Sequence, residues 1–169
     1  MMTIRSLTGL ALAAVLISIT PAAAQAATGP AGEGTTAARS ATQGTIQWST
    51  KYAPGRKAKT HGSLTVSGED HADIPAAATS RISGKVYDLT KGSSCGWAVF
   101  RLTYRTAGGN LPFKHHSVVD CSYGTPKSFA FTQRNLYQLE LKVCSGAKAS
   151  KPSVNCLYAG SWKVLYVSK

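Results

Sequence analysis

Negative charge and long apolar runs are both scarce in this sequence, and each shortage narrows the class of protein. Only 7 of the 169 residues are Asp or Glu, against 19 Lys or Arg, so the formal net charge is +12. The main apolar run, residues 10–19, is shorter than the ~20 residues that a membrane-spanning helix needs. We therefore expect no membrane span, and we expect long-range attraction to anionic partners.

The sequence also lacks the motifs that mark the common hydrolases. It contains no Gly-x-Ser-x-Gly nucleophile elbow and no marked pair of carboxylates of the kind that glycosidases use. His115, His116 and Asp120 are close in sequence, but successive side chains of a strand point to opposite faces, so the two histidines cannot act on one substrate. We therefore favour a non-enzymatic protein, with a hydrolase whose site is unmarked as an alternative.

Spacings typical of metal ligands are missing as well. There is no Cys-x-x-Cys and no short-spaced pair of zinc ligands. Glu69, Asp70 and Asp73 gather three of the seven carboxylates, but they lack the spacing of a calcium loop. We interpret this stretch as a polar loop in which Asp73 caps a short helix. Neither a metal nor a cofactor is expected.

Residues 1–26 have the composition of a secretory signal peptide. Arg5 supplies a basic start, the apolar run follows it, and small residues come next. A cut after Ala26 places the small residues Ala24 and Ala26 at positions −3 and −1 before the cleavage site, and a cut after Ala24 is the alternative. We therefore predict a secreted protein, extracellular or associated with the cell envelope. Residues 27–44, rich in Ala, Thr and Gly, are predicted to form a flexible leader.

Four cysteines all lie in the second half of the sequence: Cys95, Cys121, Cys144 and Cys156. An exported chain meets an oxidising compartment, so we predict two disulfides. Three connectivities are open. We favour Cys95–Cys121 and Cys144–Cys156, because each pair lies at opposite ends of two neighbouring strand-like segments that a hairpin would bring together.

Apolar and polar residues alternate along most of the chain after residue 45, which is the period of β-strands. The clearest strand is residues 95–104, where Phe100 and Leu102 face the core and Trp97 points the other way. Turn-forming Gly and Pro separate about seven to nine such segments. We predict that residues 45–169 form an all-β domain, an antiparallel β-sandwich or jelly roll.

Two local predictions complete this outline. The only helical candidate is one or two turns around residues 76–80. The last strand is predicted to begin near Leu157 and to be buried on both faces, because it carries apolar residues on both.

Some of these features resemble a broad group of small exported actinobacterial proteins. The features are the segment SGKVYD at residues 83–88, Cys95 opening a strand, and Cys144 and Cys156 before a final strand. The resemblance covers roughly residues 81–169, and its motifs are structural. It implies the β fold and the disulfides, and it supplies no functional residue.

The densest cluster of positive charge surrounds the Pro-Gly pair at residues 54–55. Its cations are Lys51, Arg56, Lys57 and Lys59, with Tyr52 beside them as an aromatic surface. Point charges of this kind contact phosphate or sulfate groups, and such contacts weaken with salt. We take these four residues as candidate contacts for an anionic ligand.

The sequence therefore predicts a secreted basic β-sandwich protein that acts through its surface. The leading hypothesis is contact with anionic cell-envelope polymers through basic loops. A secreted inhibitor or effector that binds an extracellular partner protein is the alternative from another class. We do not expect nucleic acid to be the partner.

Overall fold

A computed structural model describes residues 44–72 and 76–168, and it confirms the predicted antiparallel β-sandwich. The predicted signal peptide and nearly all of the leader lie outside the described residues. The strands are β1 Gly44–Tyr52, β2 Ala58–Asp70, β3 Ala77–Asp88, β4 Ser94–Tyr104, β5 Phe113–Asp120, β6 Lys127–Arg134, β7 Leu136–Ala147 and β8 Lys163–Val167. Helix α1 is Val154–Tyr158, and Pro54–Arg56 form a 3₁₀ turn between β1 and β2.

Two four-stranded sheets make up this domain. Sheet 1 has the strand order β1-β2-β3-β6, and sheet 2 has the order β5-β4-β7-β8. Every neighbouring pair is antiparallel. The chain crosses from one sheet to the other three times, between β3 and β4, between β5 and β6, and between β6 and β7.

The main core lies between the two sheets, as the alternating pattern predicted. Leu64 and Ile82 of sheet 1 and Phe100 and Leu141 of sheet 2 are all buried there. Phe100 lies at the centre, with the Phe129 ring at an edge-to-face distance of 5.3 Å. Such aromatic pairs add specific geometry to the burial of apolar area.

Two glycines stand opposite each other on β2 and β3, at positions that face this core. A Cβ on Gly62 would lie 2.1 Å from the backbone oxygen of Ser83 and 2.5 Å from the Trp48 ring. A Cβ on Gly84 would lie 2.8 Å from the Phe129 ring. The two missing side chains therefore give Trp48 and Phe129 room to lie against the sheet.

The helix predicted around residues 76–80 is wrong. Residues 77–80 open strand β3, with Ala78 and Ser80 buried and their neighbours half-buried. These small residues alternate between core and surface while pairing with β2 and β6, so strand packing overrides their helical propensity. Asp73, the predicted cap, lies outside the described residues.

The end of the chain also differs from its prediction. Leu157 belongs to helix α1, and the last strand, β8, begins at Lys163. This strand lies at the edge of sheet 2, with Val164 and Val167 exposed, so it is not buried on both faces. Across the described ranges, no helix has the length and apolar character needed to cross a membrane.

A second, smaller apolar cluster covers the outer face of sheet 2. Trp97 and Val99 project away from the main core and pack with Cys156 of α1. Trp162 and Leu157 pack against the same cluster. Trp97 therefore points opposite to Phe100, as predicted, and the short helix shields it.

Both predicted disulfides are confirmed. Cys95–Cys121 closes the β4–β5 hairpin, with Cα atoms 4.2 Å apart. Cys144–Cys156 forms for a different reason from the one predicted, because it ties β7 to helix α1 rather than to a neighbouring strand. The second bridge therefore holds the helix on the outer face of sheet 2.

Candidate functional site

Three of the five carboxylates in the described ranges are withdrawn from solvent. Asp88, Asp120 and Glu140 are buried. Asp120 accepts hydrogen bonds from the N–H groups of Asp88 and Ser122, at 3.1 and 3.0 Å. Glu140 accepts two from Arg101, at 2.5 and 2.8 Å.

The two accessible carboxylates of the described ranges, Glu69 and Asp70, end strand β2. Glu69 lies 3.7 Å from the His71 imidazole, and both line a shallow depression beside Ile46 and Leu165. Negative charge is thus confined to one end of the described surface, while exposed Lys and Arg side chains occur on many elements.

The four predicted contact residues are divided between two neighbouring surfaces. The Arg56 guanidinium lies 4.3 Å from the Tyr52 ring centroid, and the Lys59 ammonium lies 4.7 Å from that of Tyr87. Tyr52 pairs with Lys59 across β1 and β2, so Arg56 and Lys59 share one end of sheet 1. Lys51 and Lys57 instead line a separate cleft.

Arg56 and Lys59 belong to the outer face of sheet 1, which we call the basic face. Its outward cations on β2, β3 and β6 are Lys59, Arg81, Lys85 and Arg134, each at a strand position that alternates with the core. Hydroxyl groups fill many positions between them, including the hydrogen-bonded pair Ser63 and Ser83 at 3.3 Å. The outward positions from 59 to 67, 79 to 87 and 128 to 134 contain no carboxylate.

The cleft has a volume of about 670 Å³ and separates the end of β1 and its 3₁₀ turn from β7 and α1. Its lining includes four lysines: Lys51, Lys57, Lys142 and Lys163. Hydroxyl and amide groups also line it, from Thr50, Ser145, Ser153, Asn155 and Ser161. No carboxylate belongs to the lining, so the cleft is a concave surface of one charge sign.

Lys142 holds the wall of this cleft in place. Its buried Nζ donates to the backbone oxygens of Leu157, Ala159 and Gly160, at 3.0, 3.0 and 3.4 Å. The same ammonium lies 4.6 Å from the Trp162 ring centroid. Burial, and then the charge of Arg101, lower the pKa of Lys142. All three N–H donors have protein partners, so this lysine positions α1 and adds positive charge.

The two neighbouring histidines have different surroundings, as expected for opposite faces of β5. The His115 ring stacks on Trp162 at 5.5 Å, whereas the His116 ring lies 4.0 Å from Phe131. Burial, followed by Arg101 and Lys142, lowers the pKa of His115; burial and then Lys114 lower that of His116. In the part of the chain that is described, no three His, Cys, Asp or Glu side chains are grouped to hold a metal ion.

Sequence reasoning found Lys51 and Lys57 but missed Lys142 and Lys163, their partners in the cleft. These residues come from three segments that are far apart in the chain, and strand pairing with the Cys144–Cys156 bridge brings the segments together. The missed signal was Lys142 itself, a lysine within a largely apolar strand.

Comparison of the chain with protein-family models, curated proteins and solved structures gave no match.

Proposed function

We propose that this protein is an exported, non-enzymatic protein that binds anionic cell-envelope polymers through its basic face. The observation that carries the proposal is the distribution of charge over sheet 1. Arg81, Lys85 and Arg134 are exposed on its outer face, and the outward positions named above hold no carboxylate to repel a polyanion. The predicted signal peptide and the resemblance to small exported proteins agree with this assignment.

The dimensions of the basic face favour a polymer over a small anion. Outward positions on β2 run from Lys59 to Ser67, which at about 3.4 Å per residue spans about 27 Å. Residues paired across the sheet form rows, and cations occur in the rows at both ends of this span. Lys59 lies in the first row, and Arg134 lies in the last row, where it pairs with Thr79, the partner of Ser67. An extended chain with repeated negative groups can contact several rows at once, whereas one small anion contacts a single row.

Aromatic rings add a surface for the uncharged part of such a polymer. Tyr52 and Tyr87 flank Lys59 in one row, and the His61 ring lies 5.5 Å from that of Tyr87. A sugar or polyol backbone can pack on these rings while its anionic groups meet the ammonium and guanidinium groups. The expected binding is electrostatic and falls steeply as salt increases.

A charge-matched pair of variants tests the proposal. The triple variant R56S/K59S/K85S removes three cations from the basic face, and K91S/K114S/K148S removes three exposed lysines elsewhere. Binding to purified teichoic acid and to heparin is measured across a salt gradient. We expect the first variant to bind more weakly, with a slope against log salt that is shallower by about one per lost contact. Equal binding by both variants would show that only net charge matters.

One observation favours a second candidate function, the binding of a partner protein. Val154 and Tyr158 on α1 are 73% and 74% exposed, although both are large apolar residues. They lie one helical turn apart on an element braced by the Cys144–Cys156 disulfide. The variant V154S/Y158S tests this function, because it should abolish stoichiometric inhibition or capture of an extracellular protein and leave polymer binding unchanged.

A further inference from the structure

We propose that the cleft between the 3₁₀ turn and α1 is a second binding site, which takes the phosphate group of a polyol phosphate or sugar phosphate. This site goes beyond the polymer contact on the basic face. Apart from Tyr52 at their border, it uses different side chains, since Lys57 and Lys163 line the cleft while Lys59 and Lys85 face outward from sheet 1. The two sites can therefore be tested separately.

The lysines of the cleft differ in how many donors they have free. Lys142 uses all three N–H groups on backbone carbonyls, and Lys51 donates one to Ser49 at 3.2 Å. Lys57 and Lys163 make no hydrogen bond or ion pair with any residue in the described ranges. Lys57 and Lys163 are therefore the direct phosphate contacts, and the other two ammonium groups strengthen the positive field.

The choice of phosphate follows from the kind of cation in the cleft. An ammonium group is a compact point charge with three donors, which suits the several oxygens of a phosphate. The planar, bidentate recognition of a carboxylate or a phosphate is the property of arginine, and no arginine lines the cleft, so an anion bound there is held by ammonium point charges.

Uncharged polar groups in the lining indicate the rest of the ligand. Ser145 belongs to the lining, and its Oγ has no hydrogen-bond partner among the described residues, so a polar group with unmet hydrogen bonding lies beside the space for the ligand. Asn155 and Ser161 add further donors and acceptors. At about 670 Å³ the cleft is of the size that holds small organic ligands, so it has room for a polyol or sugar beside the phosphate.

The walls of the cleft are held rigid before any ligand binds. Cys144 and Cys156 both line it, so their disulfide joins its β7 wall to its helical wall. The three hydrogen bonds of Lys142 fix the segment after α1 on the same strand. Preorganised walls lower the entropy cost of binding.

Calorimetric titration with three probes tests the site: glycerol 3-phosphate, inorganic phosphate and glycerol. We expect glycerol 3-phosphate to bind more tightly than inorganic phosphate, and glycerol alone not to bind. The variant K57S/K163S should weaken glycerol 3-phosphate binding at least about tenfold, because two charge-assisted contacts are lost. R56S/K59S is the matched control, which removes two cations outside the direct contacts and should retain wild-type affinity for this probe.

Three outcomes would overturn the proposal. These are no binding of glycerol 3-phosphate at millimolar concentration, equal loss in K57S/K163S and R56S/K59S, and equal affinity for inorganic phosphate and glycerol 3-phosphate. Near-UV circular dichroism verifies that each variant is folded, and K57R/K163R, which restores both charges, should recover part of the affinity. Heparin binding by K57S/K163S is measured to distinguish the cleft from the basic face. In this variant, heparin binding should fall far less than glycerol 3-phosphate binding.

Discussion

The Nζ of Lys142 donates a 3.0 Å hydrogen bond to the backbone oxygen of Leu157, and this contact joins β7 to helix α1. Lys142→Met keeps most of the aliphatic stem but removes the donor, so three carbonyl oxygens lose their partner. We expect the free energy of unfolding to fall by about 2 kcal/mol in a urea titration. Lys148→Met, at an exposed lysine, should change it by less than about 0.5 kcal/mol.

The two disulfides should have similar effects on stability but different effects on the cleft. In the chain-entropy model, removing Cys144–Cys156 costs about 3 kcal/mol and removing Cys95–Cys121, which closes a longer loop, slightly more. Only C144S/C156S should weaken glycerol 3-phosphate binding, because only that bridge lines the cleft. Unfolding and calorimetry of C144S/C156S and C95S/C121S test this, and equal loss of binding in both would contradict it.

His116 should make the protein less stable in mild acid. Burial and then Lys114 lower its pKa in the folded state below the ordinary 6.5, so the unfolded chain binds the proton more readily. The contribution of neutral His116 to the free energy of unfolding is fully present above pH 6.5, and it is lost as the pH falls from 6.5 toward the folded-state pKa. Urea titrations between pH 5 and 8 should show this decline, and H116F, which keeps a ring beside Phe131, should reduce it. An unchanged pH profile in H116F would refute the assignment.

Gly84 should not tolerate a methyl group. An added Cβ would lie 2.3 Å from the backbone oxygen of His61 and 2.8 Å from the Phe129 ring, so either the strand or the core must shift. We expect Gly84→Ala to lower the free energy of unfolding by at least about 2 kcal/mol. Gly92→Ala is the control, because no atom lies within 4 Å of its added Cβ. Equal stability of the two variants would show that the sheet absorbs the methyl group.

Much of the fold could be predicted because the alternation of side chains records which face is buried. Phe100 and Leu102 were assigned to the core from their spacing alone, and the structure buries both. Cys95–Cys121 followed from hairpin geometry for the same reason. The prediction failed at residues 76–80, where small residues carry little hydrophobic contrast, and burial of Ala78 is decided by its neighbours in space.

The candidate site could be predicted only in part. Sequence proximity located the cations near the Pro-Gly turn, but Lys57 lies in the bend before β2, whereas Lys59 lies within that strand and faces outward from sheet 1, so the two lysines reach different surfaces. Helix α1, with five residues, is too short to show a helical period, and its position depends on Cys156 and Lys142. The cleft therefore depends on tertiary contacts that no local pattern contains.

The burial of Asp88, Asp120 and Glu140 has a consequence for how the folded protein meets a charged surface. In an unfolded chain, these carboxylates would be interspersed among the cations and would repel the same polyanion that the lysines attract. Folding turns them inward toward backbone N–H groups, a hydroxyl and Arg101 without altering the net charge. At equal net charge, the native state should therefore elute from a cation exchanger at higher salt than the urea-unfolded chain. Folding itself separates the exposed cations from the buried carboxylates.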